Sequence, residues 1–314
     1  MLVTGGLGFI GAQVVRELLA SGAPVLVIDR QQDSNSADEV LSAEQRALVH
    51  VVGTRIPGIR TLTRLLREWS VETVIHLASP LATVTEARPR LSVDEMITPQ
   101  LAILEACRLA KVRRLVWASS VGVFGRVHEY SRVPIGNDAP HYPLTSYGAA
   151  KSFLERLATH YTIRHRLDTL GLRFPLVYGP ARQRGGGQFT TELIEGAALG
   201  RRCVLQSADE RYNWMYVADA ARSVLLAVEA APTSARALTV CGEVASTREV
   251  AEMLGEWFPD AEVVALAGTT DLVADFDPAP AFAQLGYRPA RTLREGVLAT
   301  ANAARQRAGL PLVA

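Results

Sequence analysis

The chain has 314 residues, enough to bury a sizeable core in one large unit or in two closely joined units. Lysine and arginine total 33 against 32 aspartates and glutamates, which gives a formal net charge of +1. This balance excludes the global basic field that draws proteins to nucleic acid or to an anionic membrane, so we expect a small, roughly neutral partner.

The N-terminal residues and the cysteines favour a cytoplasmic protein. Met1 leads directly into a strand-like segment, without the basic region and cleavage site of a secretion signal. The apolar runs are far shorter than the ~20 residues of a membrane-spanning helix. Cys107, Cys203 and Cys241 are widely separated and odd in number, which is typical of buried, reduced cysteines rather than of a disulfide framework or a zinc site.

Through the first half of the chain, short β-branched runs alternate with longer segments of helical periodicity. This alternation predicts an α/β fold in which helical crossovers join parallel strands into a doubly wound sheet. The predicted strands lie near residues 1–4, 24–29, 47–52, 72–77, 113–119, 168–173 and 237–241. A helix is predicted from Gly11 to Ser21 with Gly22 at its C-terminal cap, and another around residues 217–229.

The pattern changes after residue 173, where Pro175, Gly179, Pro180 and the glycine run 185–187 interrupt regular structure. We therefore predict a domain over residues 1–173 and a smaller C-terminal lobe over 174–314. A segment near residues 214–242 is expected to return to the main sheet.

A glycine-rich turn, residues 4–11, joins the first strand to the first helix. Gly5 permits a tight turn, Gly8 lets backbone N–H groups approach a pyrophosphate, and Gly11 lets the helix lie close to the strand. The strand before it and the helix after it favour a dinucleotide site over a plain turn.

An acidic residue, Asp29, ends the second strand 18 positions after Gly11. A carboxylate at this place can accept a hydrogen bond from a ribose hydroxyl and repels a 2′-phosphate, so Asp29 favours NAD over NADP. The adjacent Arg30 weakens this preference. A solvated strand terminus is the alternative interpretation of Asp29.

Tyr147 and Lys151 stand four residues apart at the start of a predicted helix, which places them on one face. A phenol with a pKa near ~10 is a poor base at neutral pH, but a nearby ammonium favours the tyrosinate. We expect Lys151 to supply that charge and to hold the nicotinamide ribose.

Ser120 ends the fifth predicted strand. A hydroxyl at the carboxyl end of such a strand faces the crevice where ligands bind, so Ser120 can hydrogen-bond the reacting oxygen. Taken alone, it would be interpreted as an ordinary strand-end serine. With the glycine turn and the Tyr147/Lys151 pair, it predicts three groups that meet at one C–O bond.

Through these residues the chain resembles the extended short-chain dehydrogenase/reductase family, also called the NAD-dependent epimerase/dehydratase family. Further matching segments are His76-Leu77-Ala78-Ser79, Ser119-Ser120-Val121-Gly122-Val123-Phe124-Gly125, Leu172-Arg173-Phe174-Pro175, Val177-Tyr178-Gly179-Pro180 and Trp214-Met215-Tyr216-Val217-Ala218-Asp219. The matches extend across most of the chain.

The resemblance implies a Rossmann-type sheet, bound NAD, a homodimer built from two helices per subunit, and a catalytic set of Ser120, Tyr147 and Lys151. The implied NAD contacts are Gly5, Gly8, Phe9, Ile10, Gly11, Asp29, Arg30, Thr54, Leu77, Ala78, Ser79, Thr98, Tyr147, Lys151 and Pro175.

The chain departs from the family pattern at several positions. Thr98-Pro99-Gln100 stands where many relatives have an asparagine-x-glycine-threonine segment, and Thr54 stands where an aspartate often holds the adenine. Nucleotide-sugar members resemble one another in an asparagine at the position of Leu176 and an arginine at that of Tyr212, both used to bind the diphosphate, and both are missing here. Val121-Gly122 replaces the Asp-Glu pair of the sugar-nucleotide dehydratases, which argues against elimination of water.

Our first hypothesis is a dehydrogenase or reductase that moves hydride between NAD and a secondary alcohol or ketone of a small polar substrate. Residues 144–148 and Phe124-Gly125 resemble members that oxidise sugar acids, aldonates or hydroxy amino acids. Arginines of the C-terminal lobe could clamp a carboxylate, although they could equally be solvated surface residues. The candidates are Arg182, Arg184, Arg201, Arg202 and Arg211.

Two alternatives use the same fold. An epimerase of sugars or nucleotide sugars would oxidise and re-reduce one carbon while keeping its NAD, with the same catalytic residues. A non-catalytic NAD-sensing protein would not need to keep the serine, tyrosine and lysine. His76, His128 and His141 are scattered and lack paired carboxylates, so no metal site is predicted.

Overall fold

A computed structural model describes residues 1–30, 35–182 and 187–314. The strands in these ranges are β1 (Leu2–Thr4), β2 (Leu26–Asp29), β3 (His50–Gly53), β4 (Thr73–His76), β5 (Arg114–Ser120), β6 (Asp168–Phe174), β7 (Leu176–Tyr178), β8 (Cys203–Leu205), β9 (Arg211–Tyr216), β10 (Ala237–Thr239), β11 (Glu243–Ser246) and β12 (Val263–Ala265).

Helices fill most of the intervals between these strands. They are α1 (Phe9–Ala20), α2 (Asn35–Val40), α3 (Ala43–Ala47), α4 (Ile59–Glu68), α5 (Ala82–Ala87), α6 (Arg90–Ser92), α7 (Thr98–Ala110), α8 (Ser146–His165), α9 (Gln188–Ala198), α10 (Val217–Glu229), α11 (Thr247–Trp257), α12 (Ala279–Leu285) and α13 (Leu293–Arg307). A π-helical turn at Val93–Ile97 joins α6 to α7. Among these described helices, none is long and apolar enough to cross a membrane.

Seven of the described strands form one parallel sheet in the order β10-β6-β5-β4-β1-β2-β3. These are the seven strands predicted from the sequence, so the Rossmann-type doubly wound sheet is confirmed. The strand order reverses between β1 and β4, and the carboxyl ends of these two strands open a crevice in which ligands of such sheets bind.

Alternate residues of the strands pack against separate helical layers, because successive side chains of a strand point to opposite faces. One layer, with α1 and α10, buries Val3, Val27, Ile75 and Val116. The other, with α4, α7 and α8, buries Leu2, Leu26, Val74 and Leu115. Each fully buried side chain of this kind contributes about 1.5–3 kcal/mol, so both faces hold the sheet in place.

The first helix begins and ends close to its predicted limits. It starts at Phe9, two residues before Gly11, and ends at Ala20. Gly22 has a φ of +75°, and its N–H donates to the Leu19 carbonyl at 3.0 Å. This left-handed glycine ends the helix as predicted.

Beyond Phe174 the chain builds smaller sheets. Within the described residues these are the sheet β11-β9-β7 and the pair β12-β8, which pack with α9, α11 and α13 around a separate apolar cluster. β10 returns to pair with β6, and α10 packs in the same layer as α1, as the predicted returning segment requires. The division into two lobes at residue 173 stays a prediction. Gly185 and Gly186 of the predicted glycine run lie outside the described residues.

Cys107, Cys203 and Cys241, all within the described ranges, are buried and unpaired. They fill apolar space, as expected of reduced cysteines.

Candidate active site

The glycine-rich turn lies against the segment that follows β4. Gly5 has a φ of +71°, and a Cβ on it would approach the Ala78 backbone nitrogen to 2.7 Å. Its N–H donates to the Ile28 carbonyl at 2.9 Å. Glycine is therefore required here both for the backbone conformation and for the close approach of Leu77 and Ala78 to the turn.

Gly8 and Gly11 bring the N-terminus of α1 onto this turn. A Cβ on Gly11 would strike the Gly5 carbonyl oxygen, so the helix can lie this close only with glycine. Phe9 and Ile10 form the first turn of α1, where free backbone N–H groups favour an anion such as a pyrophosphate.

Asp29 stands at the end of β2, with one carboxylate oxygen accepting a hydrogen bond from the Leu7 backbone at 3.1 Å. It thus lies beside the glycine-rich turn, as a ribose-binding carboxylate must. Arg30 is directed to Glu95, with 3.1 Å between guanidinium and carboxylate. Thr54 and Thr98 are exposed, the first just after β3 and the second at the start of α7.

Ser120 ends β5, and its hydroxyl accepts a hydrogen bond from the Gly122 backbone at 3.0 Å. The short 3-10 turn Val121–Val123 that follows presses on the start of α8, because a Cβ on Gly148 would strike the Gly122 carbonyl oxygen. Thr145 caps α8 by accepting from the Gly148 backbone at 3.0 Å. These contacts hold Ser120 and Tyr147 together.

The Tyr147 phenol lies in the interior of the crevice. Burial raises its pKa above the ordinary value, and the neighbouring Ser79 and Ser120 hydroxyls and the Arg182 charge oppose that rise. The Ser79 Oγ is shielded from solvent and makes no hydrogen bond of normal geometry with a described residue. A buried hydroxyl beside the phenol is suited to a substrate oxygen.

Lys151 lies one helical turn after Tyr147, with its Nζ 5.4 Å from the centre of the tyrosine ring. The ammonium donates to the Ala118 carbonyl at 2.6 Å. Burial lowers its pKa to about 7, against the opposing effect of Glu155. The Arg182 charge, which the sequence did not connect with Tyr147, also lowers the pKa of the phenol, and the predicted activation of Tyr147 by Lys151 stays a prediction.

A buried ion pair supports α8 behind Lys151. Glu155 accepts from the Arg173 guanidinium at 2.8 and 2.7 Å and from the Ser119 hydroxyl at 2.6 Å. Both charged side chains are 7% exposed. Sequence reasoning missed Glu155, because its partner Arg173 lies on another element and no local motif marks the pair.

His76, at the end of β4, has its Nδ1 2.6 Å from the Thr4 hydroxyl. Burial, with the Lys151 charge as a smaller cause, lowers its pKa to about 3. It is therefore neutral at physiological pH. Across the described ranges, no three histidine, cysteine, aspartate or glutamate residues are grouped so that they could hold a metal ion.

The arginines predicted to bind a substrate carboxylate lie in different parts of the structure. Arg182 reaches the crevice: its guanidinium lies 5.2 Å from the centre of the Phe9 ring and one nitrogen donates to the Val177 carbonyl. Its Nε is buried and has no partner among the described residues. Arg211 lies outside the crevice, 53% exposed and paired with Glu249 at 3.1 Å. Arg184 falls outside the described residues.

Leu176 and Tyr212, the positions at which nucleotide-sugar relatives have an asparagine and an arginine, are apolar and aromatic here. Pro175 separates β6 from β7, and Leu176 follows it as the first residue of β7. Tyr212 packs against Phe189 with 5.4 Å between ring centres, and burial raises its pKa to about 12. Neither Leu176 nor Tyr212 offers a positive charge to a diphosphate.

Comparison with known proteins identifies relatives that match most of the chain. The family model described as "NAD dependent epimerase/dehydratase family" matches residues 1–241. The chain is 31% identical over 279 residues to a UDP-glucose 4-epimerase of Azospirillum brasilense, covering 82% of this chain and 76% of the relative. It is 29% identical over 308 residues to one of Mycolicibacterium smegmatis, covering 95% and 96% of the two chains.

A solved structure shares the fold over nearly its whole length. The complex of the Thermus thermophilus UDP-glucose 4-epimerase with NAD superimposes with a TM-score of 0.83 at 27% identity, covering 97% of this chain and 98% of the other.

Proposed function

Because the chain belongs to the NAD-dependent epimerase/dehydratase family, we propose that it transfers hydride between NAD and a secondary alcohol or ketone, with Tyr147 exchanging the hydroxyl proton. The observation that carries this proposal is the Tyr147 phenol flanked by the Ser79 and Ser120 hydroxyls at the carboxyl edge of the sheet. The cofactor is NAD, and the enzyme is of the short-chain dehydrogenase/reductase type.

When bound, NAD would supply the acceptor of the hydride from the alcohol carbon, and in the reverse direction its donor. The residues that fit it are the glycine-rich turn, with free N–H groups at the start of α1, and Asp29 beside that turn. The predicted contacts Leu77, Ala78 and Pro175 complete the proposed site.

The protein's own part in the reaction is to bind the alcohol and move its proton. Ser120 orients the substrate oxygen, and Tyr147 as tyrosinate removes the proton. Since burial disfavours the tyrosinate, positive charge nearby is needed, and Arg182 and Lys151 supply it. With a pKa of about 7, Lys151 is only partly charged at neutral pH.

For the substrate, the geometry favours a small molecule with a carboxylate, as in a sugar acid or hydroxy acid. The unpartnered Nε of Arg182 is buried in the crevice close enough to Tyr147 to affect its pKa. A guanidinium in this position can bind a planar carboxylate through paired hydrogen bonds. For such a substrate we propose a dehydrogenase that releases reduced NAD, although a carboxylate site alone does not distinguish it from an epimerase.

The second candidate is a nucleotide-sugar 4-epimerase, and the relatives favour it. UDP-glucose 4-epimerases match this chain at 29–31% identity over most of its length. Such an enzyme must hold a diphosphate, and Leu176 and Tyr212 provide no charge for that purpose. The same Tyr147, Ser120 and Lys151 would serve both reactions.

We further propose that the enzyme is a cytoplasmic homodimer. Apolar side chains remain exposed on the outer faces of α7 and α8, including Leu101 at 40%, Phe153 at 50% and Ile163 at 73%. A partner subunit would cover such a surface. The unpaired cysteines are consistent with a reducing compartment.

The deciding experiment incubates the protein with NAD⁺ and a panel of sugar acids, hydroxy acids, polyols and UDP-sugars, and records reduced nicotinamide over time. Accumulation with a carboxylated substrate establishes the dehydrogenase. Conversion of a UDP-sugar to its epimer without accumulation establishes the epimerase instead.

In either assay Tyr147→Phe should lower turnover by roughly 10²–10⁴-fold, the usual contribution of general acid–base catalysis. Tyr142→Phe is the matched control, because Tyr142 is 41% exposed and lies outside the proposed site. Full activity in Tyr147→Phe would disprove the catalytic assignment.

A further inference from the structure

A cluster of three charged side chains, Arg30, Arg55 and Glu95, lies at one end of the main sheet. One Glu95 oxygen pairs with Arg30 at 3.1 Å, and the other pairs with Arg55 at 2.9 Å. Glu95 is the least exposed member at 19%, against 54% for Arg30 and 71% for Arg55. A single carboxylate on the π-helical turn thus holds guanidinium groups from two different loops.

The position of the cluster connects it with the adenosine end of the cofactor. Arg30 directly follows Asp29 at the end of β2, and Arg55 stands two residues after the end of β3. β2 and β3 are neighbours in the parallel sheet, so both arginines stand at its carboxyl edge. In sheets of this type the ribose hydroxyl group binds at the end of the second strand, and a nearby arginine accommodates a 2′-phosphate.

We propose that Glu95 is a specificity-determining residue that makes the enzyme reject NADP. By pairing with both arginines, Glu95 neutralises the groups that would otherwise bind a 2′-phosphate. Among the described side chains at this edge, Asp29 and Glu95 match the two positive charges of Arg30 and Arg55. The inference requires only that NAD binds, and it holds for a dehydrogenase and for an epimerase.

The chemistry of the groups supports this role. Guanidinium groups bind phosphate through paired, charge-assisted hydrogen bonds, which are stronger than neutral ones. In Glu95→Gln the side chain keeps its shape and loses its charge, so both arginines become available to a phosphate. In the sequence, Arg30 beside Asp29 weakened the prediction that the enzyme prefers NAD. The pairing of Arg30 with Glu95, 65 positions away in the chain, reconciles this arginine with a preference for NAD.

The test measures binding of NAD⁺ and NADP⁺ separately to the full-length chain by isothermal titration calorimetry at low ionic strength. Glu95→Gln should bind NADP⁺ roughly tenfold more tightly than the unmodified chain, the effect of about one charged hydrogen bond. Its affinity for NAD⁺ should stay within about twofold. The double variant Glu95→Gln/Arg55→Ala should lose most of the gain.

Glu195→Gln is the matched control, because Glu195 is 18% exposed and pairs with Arg307 at 2.7 Å away from the sheet edge. It should change neither affinity. Thermal unfolding of each variant confirms that it is folded. The proposal is overturned if NADP⁺ binds Glu95→Gln no better than the unmodified chain, or if both affinities fall together, which would make Glu95 a structural support.

Discussion

Burial controls the protonation states of the residues around the crevice. It raises the pKa of the Tyr147 phenol, lowers that of Lys151 to about 7 and lowers that of His76 to about 3. The directions differ because removal from water disfavours whichever form is charged. Neutral His76 and partly charged Lys151 can therefore stand close together with little repulsion.

The buried His76 should make the folded protein sensitive to mild acid. Its pKa is about 3 when folded and about 6.5 when unfolded, so the unfolded state binds more protons between these values. Stability contributed by neutral His76 is present above pH ~6.5 and is lost as the pH falls. The free energy of unfolding should drop by about 2 kcal/mol between pH 7 and pH 5 from this group alone.

Urea denaturation of the unmodified chain and of His76→Asn at both pH values checks this. The variant should show a flatter pH dependence, whatever its absolute stability. His160→Asn, at an exposed position on α8, serves as the control and should keep the slope of the unmodified chain. Equal slopes in all three proteins would contradict the prediction.

At the scale of elements, the contact between the end of β5 and the start of α8 assembles the proposed catalytic groups. The 3-10 turn Val121–Val123 is fixed by Ser120, and Gly148 lets α8 lie directly on that turn. The Tyr147–Lys151 spacing places both side chains on one face of α8, but only this contact brings that face to Ser120. The spacing of Tyr147 and Lys151 was visible in the sequence, whereas the need for glycine at position 148, where α8 meets the 3-10 turn, was not.

Gly148→Ala should therefore destabilise the protein by about 1–3 kcal/mol, the usual cost of overpacking. The added Cβ would strike the Gly122 carbonyl oxygen, so the first turn of α8 must shift. Gly255→Ala is the matched change, because Gly255 lies within α11 and an added Cβ would meet nothing within 4 Å. It should instead stabilise the helix by about 0.5–1 kcal/mol.

Thermal and urea unfolding of the two variants give the comparison. The two glycine-to-alanine changes are expected to shift the free energy of unfolding in opposite directions, because the Cβ at position 148 enters occupied space and the Cβ at position 255 enters solvent. If Gly148→Ala were as stable as the unmodified chain, α8 would not depend on this close contact.

At the scale of the whole molecule, the sheet order brings together residues that are far apart in the chain. The crevice between β1 and β4 receives the glycine-rich turn from one side and Ser79 from the other, while α8 supplies Tyr147. The segment after β7 adds Arg182. The outer faces of α7 and α8 are directed away from the contact between α8 and the 3-10 turn, and they expose apolar side chains.

If those faces form the proposed dimer interface, Phe153→Glu should convert the protein from a dimer to a monomer, because a charge would be buried in an apolar contact. Size-exclusion chromatography with light scattering measures the mass. Leu48→Glu is the control, since Leu48 is 69% exposed and lies on neither helix. A monomeric unmodified chain would contradict the proposal at once.

The sequence by itself determined the main sheet and the proposed catalytic residues, because both depend on local patterns. Buried parallel strands are short continuous apolar runs, the cofactor turn needs glycines at set positions, and Tyr147 and Lys151 share a face through helical spacing alone. Only the tertiary structure decided which charges act on them. Arg182 reaches the crevice and Arg211 does not, Glu155 supports α8 through Arg173, and Glu95 binds Arg30 and Arg55. These pairs join residues from separate elements, and their strength depends on burial, which no local pattern of sequence specifies.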